Sequence, residues 1–262
     1  MSEPVMDLSL VIACYNEEYE LAESVRQVVE VLDSARWSWE MIFVDDVSRD
    51  RTRELIDRLI AQYSGKNFRK LFHERNTGRG RTVTDGFHLA RGRFIGYIDI
   101  DLEVHARYIP SMLLALEQGA DVATAHRIYK VQPRLFIRFI ASQGYAHLMR
   151  WLLGVYLKDT ETGYKFFNRE RILPLLDQVE NERWFWDTEI MVRAALAGLI
   201  IQEIPCLFIR RYDKQSTVNV IADSIDYFKN LWRFRKVVQQ LRAGQATAPA
   251  PIAPLIDPPQ AE

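Results

Sequence analysis

Short apolar runs alternate with amphipathic helical patterns through the first half of this chain, and that alternation confines it to one class of fold. Leu8 to Ala13, Met41 to Val44, Phe68 to Phe72, Phe94 to Ile98 and Asp121 to Ala125 read as strands. Glu17 to Asp33, Arg49 to Tyr63, Thr82 to Ala90 and His105 to Gln118 carry helical spacing. In the second of these, Leu55, Ile56, Leu59 and Ile60 share one face. Strands separated by helices at this spacing predict an α/β fold: a mostly parallel central sheet with helices on both faces. With 262 residues and 48% hydrophobic content, the chain is long enough for one large domain with a substantial core.

The second half reads differently. Arg134 to Tyr156 is largely apolar and aromatic, Asp187 to Ala197 is helical, and Ile200 to Ile209 is a strand broken at Pro205. Ser224 to Leu241 is an aromatic, basic amphipathic helix, and the Ala/Pro-rich stretch 243–262 predicts a disordered tail. The formal net charge of −1 gives no reason to expect nucleic acid as a partner. Cys14 and Cys206 are too few and too far apart for a disulfide framework or a zinc site. His73, His88, His105, His126 and His147 show no metal-ligand spacing with one another. The amino terminus is acidic, and no stretch of about 18 apolar residues is free of charge. No signal peptide and no transmembrane helix are expected, and the cytoplasm is the expected location.

Asp99-Ile100-Asp101 closes the apolar run Phe94 to Ile98. Two carboxylates spaced i, i+2 at a strand end can both reach one divalent cation, a hard ion that takes oxygen ligands and is shared with substrate phosphates. In an open parallel sheet, ligands bind just outside the carboxyl ends of the strands. The pair therefore points to a metal–nucleotide site, although a solvated turn carries the same three letters. Asp45-Asp46 repeats the arrangement beside the first strand's exit at Tyr15-Asn16-Glu17. Carboxylates there can accept hydrogen bonds from a ribose or a base; the competing role for Asp46 or Ser48 is to cap the next helix.

Seven segments in order carry a family resemblance: VIACYNEE (11–18), FVDDVSRDRT (43–52), NTGRGRTVTDGFHLARG (76–92), YIDIDLE (97–103), DTETGYKFFNR (159–169), WFWDTEI (184–190) and IQEIPCLFIRR (201–211). The chain resembles the inverting GT-A glycosyltransferases of family 2, in the branch of dolichol-phosphate mannose synthases and related polyprenyl-phosphate glycosyltransferases. The resemblance implies a GT-A domain over 1–220, followed by a basic helix over 221–242. It also implies that Ala13, Tyr15 and Glu17 contact the nucleotide base, with Asp45 or Asp46 nearby. Asp99, Ile100 and Asp101 fall at the donor site, with Asp99, Asp101 and Glu103 as ligands for Mg²⁺ or Mn²⁺. Arg127 falls where a phosphate-binding arginine follows the fifth strand. Lys165 replaces an arginine that holds the diphosphate, which keeps the charge but loses the bidentate fork. Val47 and Arg51 stand where relatives have glycine, and Arg79 where they have lysine. A turn needing positive φ would be strained by valine, so a different local turn is expected at Val47.

The acceptor side is read from charge. His126 to Arg150 carries Arg127, Lys130, Arg134, Arg138 and Arg150 and no acid. In a helix, Arg138 and Ser142 lie one turn apart, and a guanidinium with a hydroxyl so placed suits a phosphate monoester. The resemblance assigns Arg138 and Ser142, with Arg127, to the acceptor phosphate, on a segment spanning about 130–157. Tyr227, Phe228, Trp232 and Phe234 are interleaved with Lys229, Arg233 and Arg235, a pattern that suits a membrane interface. A core-packing helix with a solvated basic face, or a dimer contact, would show the same pattern.

The expected activity is displacement, with inversion, of a sugar from a nucleotide donor, GDP-mannose or a UDP-hexose, onto a polyprenyl or dolichyl phosphate. Asp101, Lys165 and Asp187 are the expected catalytic residues. A lipid phosphate is already an anionic nucleophile; a hydroxyl acceptor would need a base, with Asp187 first and Glu189 second. Arg210, Arg211 and Lys214 form either a lid over the diphosphate or a solvated loop. The expected setting is the inner face of the cell membrane, held peripherally, with a membrane-embedded partner as an option. The alternatives are a soluble family 2 enzyme acting on a hydroxyl and a catalytically silent nucleotide-sugar-binding module.

Overall fold

The computed structural model describes residues 6–128, 150–210 and 220–244. The elements are β1 (Leu8–Cys14), α1 (Leu21–Asp33), β2 (Trp39–Asp45), α2 (Thr52–Gln62), β3 (Asn67–Phe72), α3 (Arg79–Leu89) and β4 (Phe94–Ile98). A single 3₁₀ turn (Ala106–Tyr108) leads into α4 (Ile109–Glu117), β5 (Val122–Ile128), β6 (Tyr164–Asn168), α5 (Arg169–Leu176), α6 (Trp186–Leu196), β7 (Ile201–Leu207) and α7 (Val220–Gly244).

The seven strands form one sheet in the order β3-β2-β1-β4-β6-β5-β7. The pairs β1–β2, β2–β3, β1–β4 and β5–β7 are parallel. β6 lies antiparallel between β4 and β5. The chain winds outward from β1 to β3 and returns to place β4 on β1's other side, so the order reverses between β1 and β4. The crevice at such a reversal is where doubly wound sheets bind ligands.

Both faces are covered, as the near-continuous apolar strands require. Leu8, Leu10 and Ile12 point to one face and pack with α1, α2 and α4 through Val25, Val28, Ile56, Met112 and Leu113. Val11, Ile42, Val44, Ile95 and Tyr97 point to the other and meet α3, α5, α6 and α7 through Val83, Phe87, Ile172, Ile190 and Leu231.

β6 and α5 are the elements that the strand and helix patterns missed. Tyr164 to Asn168 is too short to show a period, and Pro174 sits inside α5. Pro205 does not break β7: that strand runs through it at the edge of the sheet, where a missing N–H is tolerated. Of the segment about 130–157, only the last part is described; Leu152 and Leu153 are buried there and Trp151 is exposed. Arg138 and Ser142 lie outside the described residues, as do Arg211, Lys214 and the stretch 245–262. Residues 243 and 244 belong to α7 rather than to a tail. That helix divides its aromatics. Leu231, Phe234 and Val238 are buried against the domain, Tyr227 is half-buried, and Phe228 and Trp232 face outward. Among the described residues, no helix is long and apolar enough to cross a membrane.

Candidate active site

The exits of β1 and β2 are tied together by side chains. The Asn16 amide donates to Ser48 Oγ at 2.9 Å, and the Glu17 amide to Thr52 Oγ1 at 2.8 Å. Arg49 N–H donates back to Asn16 Oδ1 at 2.8 Å. Ser48 and Asp46 are thus committed to the loops, and α2 has no side-chain cap, so neither residue fills the capping role. Val47 keeps the left-handed conformation, with φ 67°, so the glycine-type turn persists with valine in it. This overturns the expectation of a different turn. Ala13, Tyr15 and Glu17 line this exit, and Asp45 is buried behind it, ion-paired with Arg53. Asp45 Oδ2 is buried without a hydrogen-bond partner, an acceptor facing no protein donor.

Asp46 turns away from the cleft and anchors the next loop. It accepts from the amides of Thr77 and Gly78, both at 2.8 Å, and from His73 Nδ1 at 2.9 Å. Burial raises its carboxyl, but these donors outweigh burial and hold it below the ordinary value. Gly78 (φ 94°) lies so close to the backbone oxygen of Glu182 that a Cβ would approach it to 2.6 Å, and a Cβ on Gly80 would collide with Trp186. The anchored loop and the two glycines set the start of α3 against the strand ends and send Arg79 into the cleft.

Arg79 is the central cation, and its position was not expected. Its Nη2 donates to Asp99 Oδ1 at 2.6 Å and its Nη1 to Asp187 Oδ2. Its guanidinium lies 5.2 Å from the Tyr97 ring centroid and 5.4 Å from that of Trp184. Gly78-Arg79-Gly80 was the available signal, since a cation flanked by two glycines sits where backbones approach closely.

Lys165 does not face the crevice. It stands on β6 opposite Tyr97 of β4 and is 0% exposed. Its ammonium donates to Asp187 Oδ1 at 2.8 Å, to the Tyr97 hydroxyl at 3.2 Å and to the Thr162 carbonyl. Burial, then the Arg79 charge, push this ammonium well below its ordinary value. Asp187, in the first turn of α6, is buried and also accepts from the Tyr97 hydroxyl. Burial lifts its carboxyl to about 7, against the pull of Arg79. Glu189 is consumed elsewhere: it accepts from the amides of Glu180 and Asn181 and pairs with Arg193, which removes it as a base.

Asp99, Asp101, Glu103, Arg127 and Gly163 border one cleft beyond β4. The Asp99 amide donates to the Gly163 carbonyl at 2.8 Å, and a Cβ on Gly163 would overlap the Asp99 carboxylate. Ile100 is buried in the core, so its side chain takes no part in ligand contact. Arg127, at the end of β5, is held by Asp159 through Nε at 2.6 Å and Nη2 at 3.0 Å. Burial raises the Asp159 carboxyl, yet Arg127 outweighs it and holds it below the ordinary value. Among the described residues no group of three His, Cys, Asp or Glu side chains is gathered for a metal, so Asp99, Asp101 and Glu103 share a cleft without converging on one point. The donor chemistry still fits Mg²⁺ or Mn²⁺, which need only one or two carboxylates when a substrate diphosphate completes the shell.

The chain matches the family described as Glycosyl transferase family 2 over residues 9–174. It is 35% identical to Glycosyltransferase AglD of Haloferax volcanii over 76% of this chain and 32% of that protein. It is 28% identical to dolichyl-phosphate beta-glucosyltransferase of Saccharomyces cerevisiae over 76% of this chain and 65% of that protein. The chain thus spans a third to two thirds of the length of these relatives. Glucosyl-3-phosphoglycerate synthase of Mycobacterium tuberculosis, solved with UDP, shares the fold with a TM-score of 0.64 at 18% identity, covering 88% of this chain and 80% of that one. The same enzyme has been solved with Mn²⁺, UDP and its product.

Proposed function

This chain belongs to glycosyl transferase family 2, in its polyprenyl-phosphate branch, and from that premise we propose that it transfers glucose from UDP-glucose to a polyprenyl phosphate at a membrane surface. The named relatives favour glucose over the mannose of the mannose synthases. An acceptor phosphate oxygen forms the new bond to the anomeric carbon as the bond to the nucleoside diphosphate breaks, with inversion. Ala13, Tyr15 and Glu17 bind the base, and the orphaned Asp45 Oδ2 accepts a base or ribose donor. Asp99 and Asp101, with Glu103 beside them, hold the divalent metal, which when bound neutralises the leaving diphosphate. Arg127, with Arg138 and Ser142, receives the acceptor phosphate.

The observation that carries the choice of acceptor is the state of Asp187. Its carboxyl near 7 would suit a general base. Yet it is buried, with both oxygens taken by Arg79, Lys165 and Tyr97, so it cannot reach an acceptor hydroxyl without breaking that cluster. A phosphate acceptor needs no base. Lys165 and Asp187 then act as positioning residues behind the cleft rather than on the substrate. Phe228 and Trp232 point outward beside the exposed Lys229, Arg233 and Lys236 of α7, a surface that suits an anionic membrane interface.

Purified protein would be given radiolabelled UDP-glucose, GDP-mannose or UDP-N-acetylglucosamine with polyprenyl phosphate in detergent, with Mg²⁺ or Mn²⁺ or with EDTA. Label entering the organic phase from UDP-glucose, only with metal present, is the expected result. Label remaining in water with every donor would overturn the reading.

A further inference from the structure

Arg79 stands where a metal at Asp99 would not tolerate it. One arm of its fork holds Asp99 at 2.6 Å and the other holds Asp187. The two arms are unequal. The Asp99 side chain is 47% exposed, so that contact is screened by water; the Asp187 side chain is 3% exposed, and its contact with Arg79 is shielded from water and costlier to break. Gly163 leaves the space in which the Asp99–Arg79 pair sits, because a Cβ there would meet both groups. A divalent cation on Asp99 would lie within a few ångströms of the guanidinium, and like charges that close repel strongly.

We infer that Arg79 is the protein's internal counter-ion to Asp99, and that a divalent cation displaces its outer arm while the inner arm stays on Asp187. The displaced Nη2 needs a new anion, and a donor diphosphate in the same cleft supplies one. Metal and nucleotide therefore bind with positive coupling through Arg79: metal alone binds weakly, and metal with nucleoside diphosphate binds tightly. The inference rests on the reading of Asp99 as a metal ligand.

The test is Mn²⁺ binding to the full chain without substrate, followed by the electron paramagnetic resonance signal of free Mn²⁺. Wild type, Asp99→Asn, Arg79→Gln and Arg79→Lys are compared, with and without UDP. Asp99→Asn is expected to lose binding. Arg79→Gln is expected to tighten Mn²⁺ binding in the absence of UDP about fivefold, the scale of one partly exposed ion pair. Added UDP should strengthen Mn²⁺ binding more in wild type than in Arg79→Gln. Arg79→Lys, which keeps a charge but cannot hold both carboxylates at once, should fall between. It decides the matter if Arg79→Gln fails to fold by circular dichroism. Unchanged or weaker Mn²⁺ binding in the folded Arg79 variants, with Asp99→Asn still losing it, overturns the counter-ion alone. Mn²⁺ binding that survives Asp99→Asn overturns the metal reading and the counter-ion with it.

Discussion

Lys165 Nζ lies 2.8 Å from Asp187 Oδ1, and neither side chain is more than 3% exposed. Without Lys165, Asp187 keeps Arg79 and the Tyr97 hydroxyl but loses one charge-assisted hydrogen bond in a buried site, which costs about 2 kcal/mol. Lys165→Met should therefore lower stability by about that amount in urea denaturation, with a smaller effect on the KM for the donor. A diphosphate-binding lysine would give the reverse: unchanged stability and a raised donor KM.

Gly163 is the position at which one methyl group does the most harm to the cleft. Its Cβ would occupy the place of the Asp99 carboxylate. Gly163→Ala should keep the far-ultraviolet circular dichroism of wild type and lose turnover about 100-fold, the cost of misplacing a functional group by roughly an ångström. Wild-type turnover in this variant would show that Asp99 does not need its observed position.

Val47 bears a β-branched side chain at φ 67°. An L-residue pays about 1–2 kcal/mol in this region and glycine does not, though glycine gives back part of that as backbone entropy. Val47→Gly should raise stability by about 1 kcal/mol, read as an increase in the thermal midpoint. A lower midpoint would mean that packing of the valine side chain outweighs the backbone strain.

Asp46 links acid to the cleft. Its carboxyl sits below the ordinary value of 3.8, so the native state binds fewer protons there than the unfolded chain. Its contribution is fully present above that ordinary value and is lost as pH falls through the native one. Asp46→Asn should cost about 2 kcal/mol near neutrality, and the gap from wild type should narrow as pH drops below 4. A gap independent of pH in denaturation curves would exclude the ionised carboxylate as the anchor.

The sheet and the strand-end acids were legible because period and position are local properties. Asp99, Asp101 and Arg127 border one cleft; the spacing at β4 singled out the two acids, and the resemblance the arginine. Lys165 was set on the diphosphate and Arg79 was given no role for one reason. Charge type says what a side chain can bind but not which way a strand presents it. Tyr164 to Asn168 is too short to show which residues turn inward, and only its pairing with β4 sets Lys165 beside Tyr97. Arg79 likewise depends on contacts far away in sequence, at Asp99 and Asp187. Of the two roles offered for α7, core packing holds on the face that carries Leu231, Phe234 and Val238, while the exposed Phe228 and Trp232 belong to the membrane seat proposed above.

The antiparallel strand wedged between β4 and β5 also dictates an order of assembly. β5 has no hydrogen-bonded path to β4 except through β6. During synthesis, β1 to β4 can pair as soon as they emerge, leaving the outer edge of β4 open until residue 168 has left the ribosome. The β1–β4 side of the crevice is thus built from early, local pairings, while Arg127 and Lys165 arrive together in one late, non-local closure. Until then, an apolar strand edge stands unprotected, and substitutions that slow β6 would be felt first as aggregation of nascent chains, before any loss of catalysis.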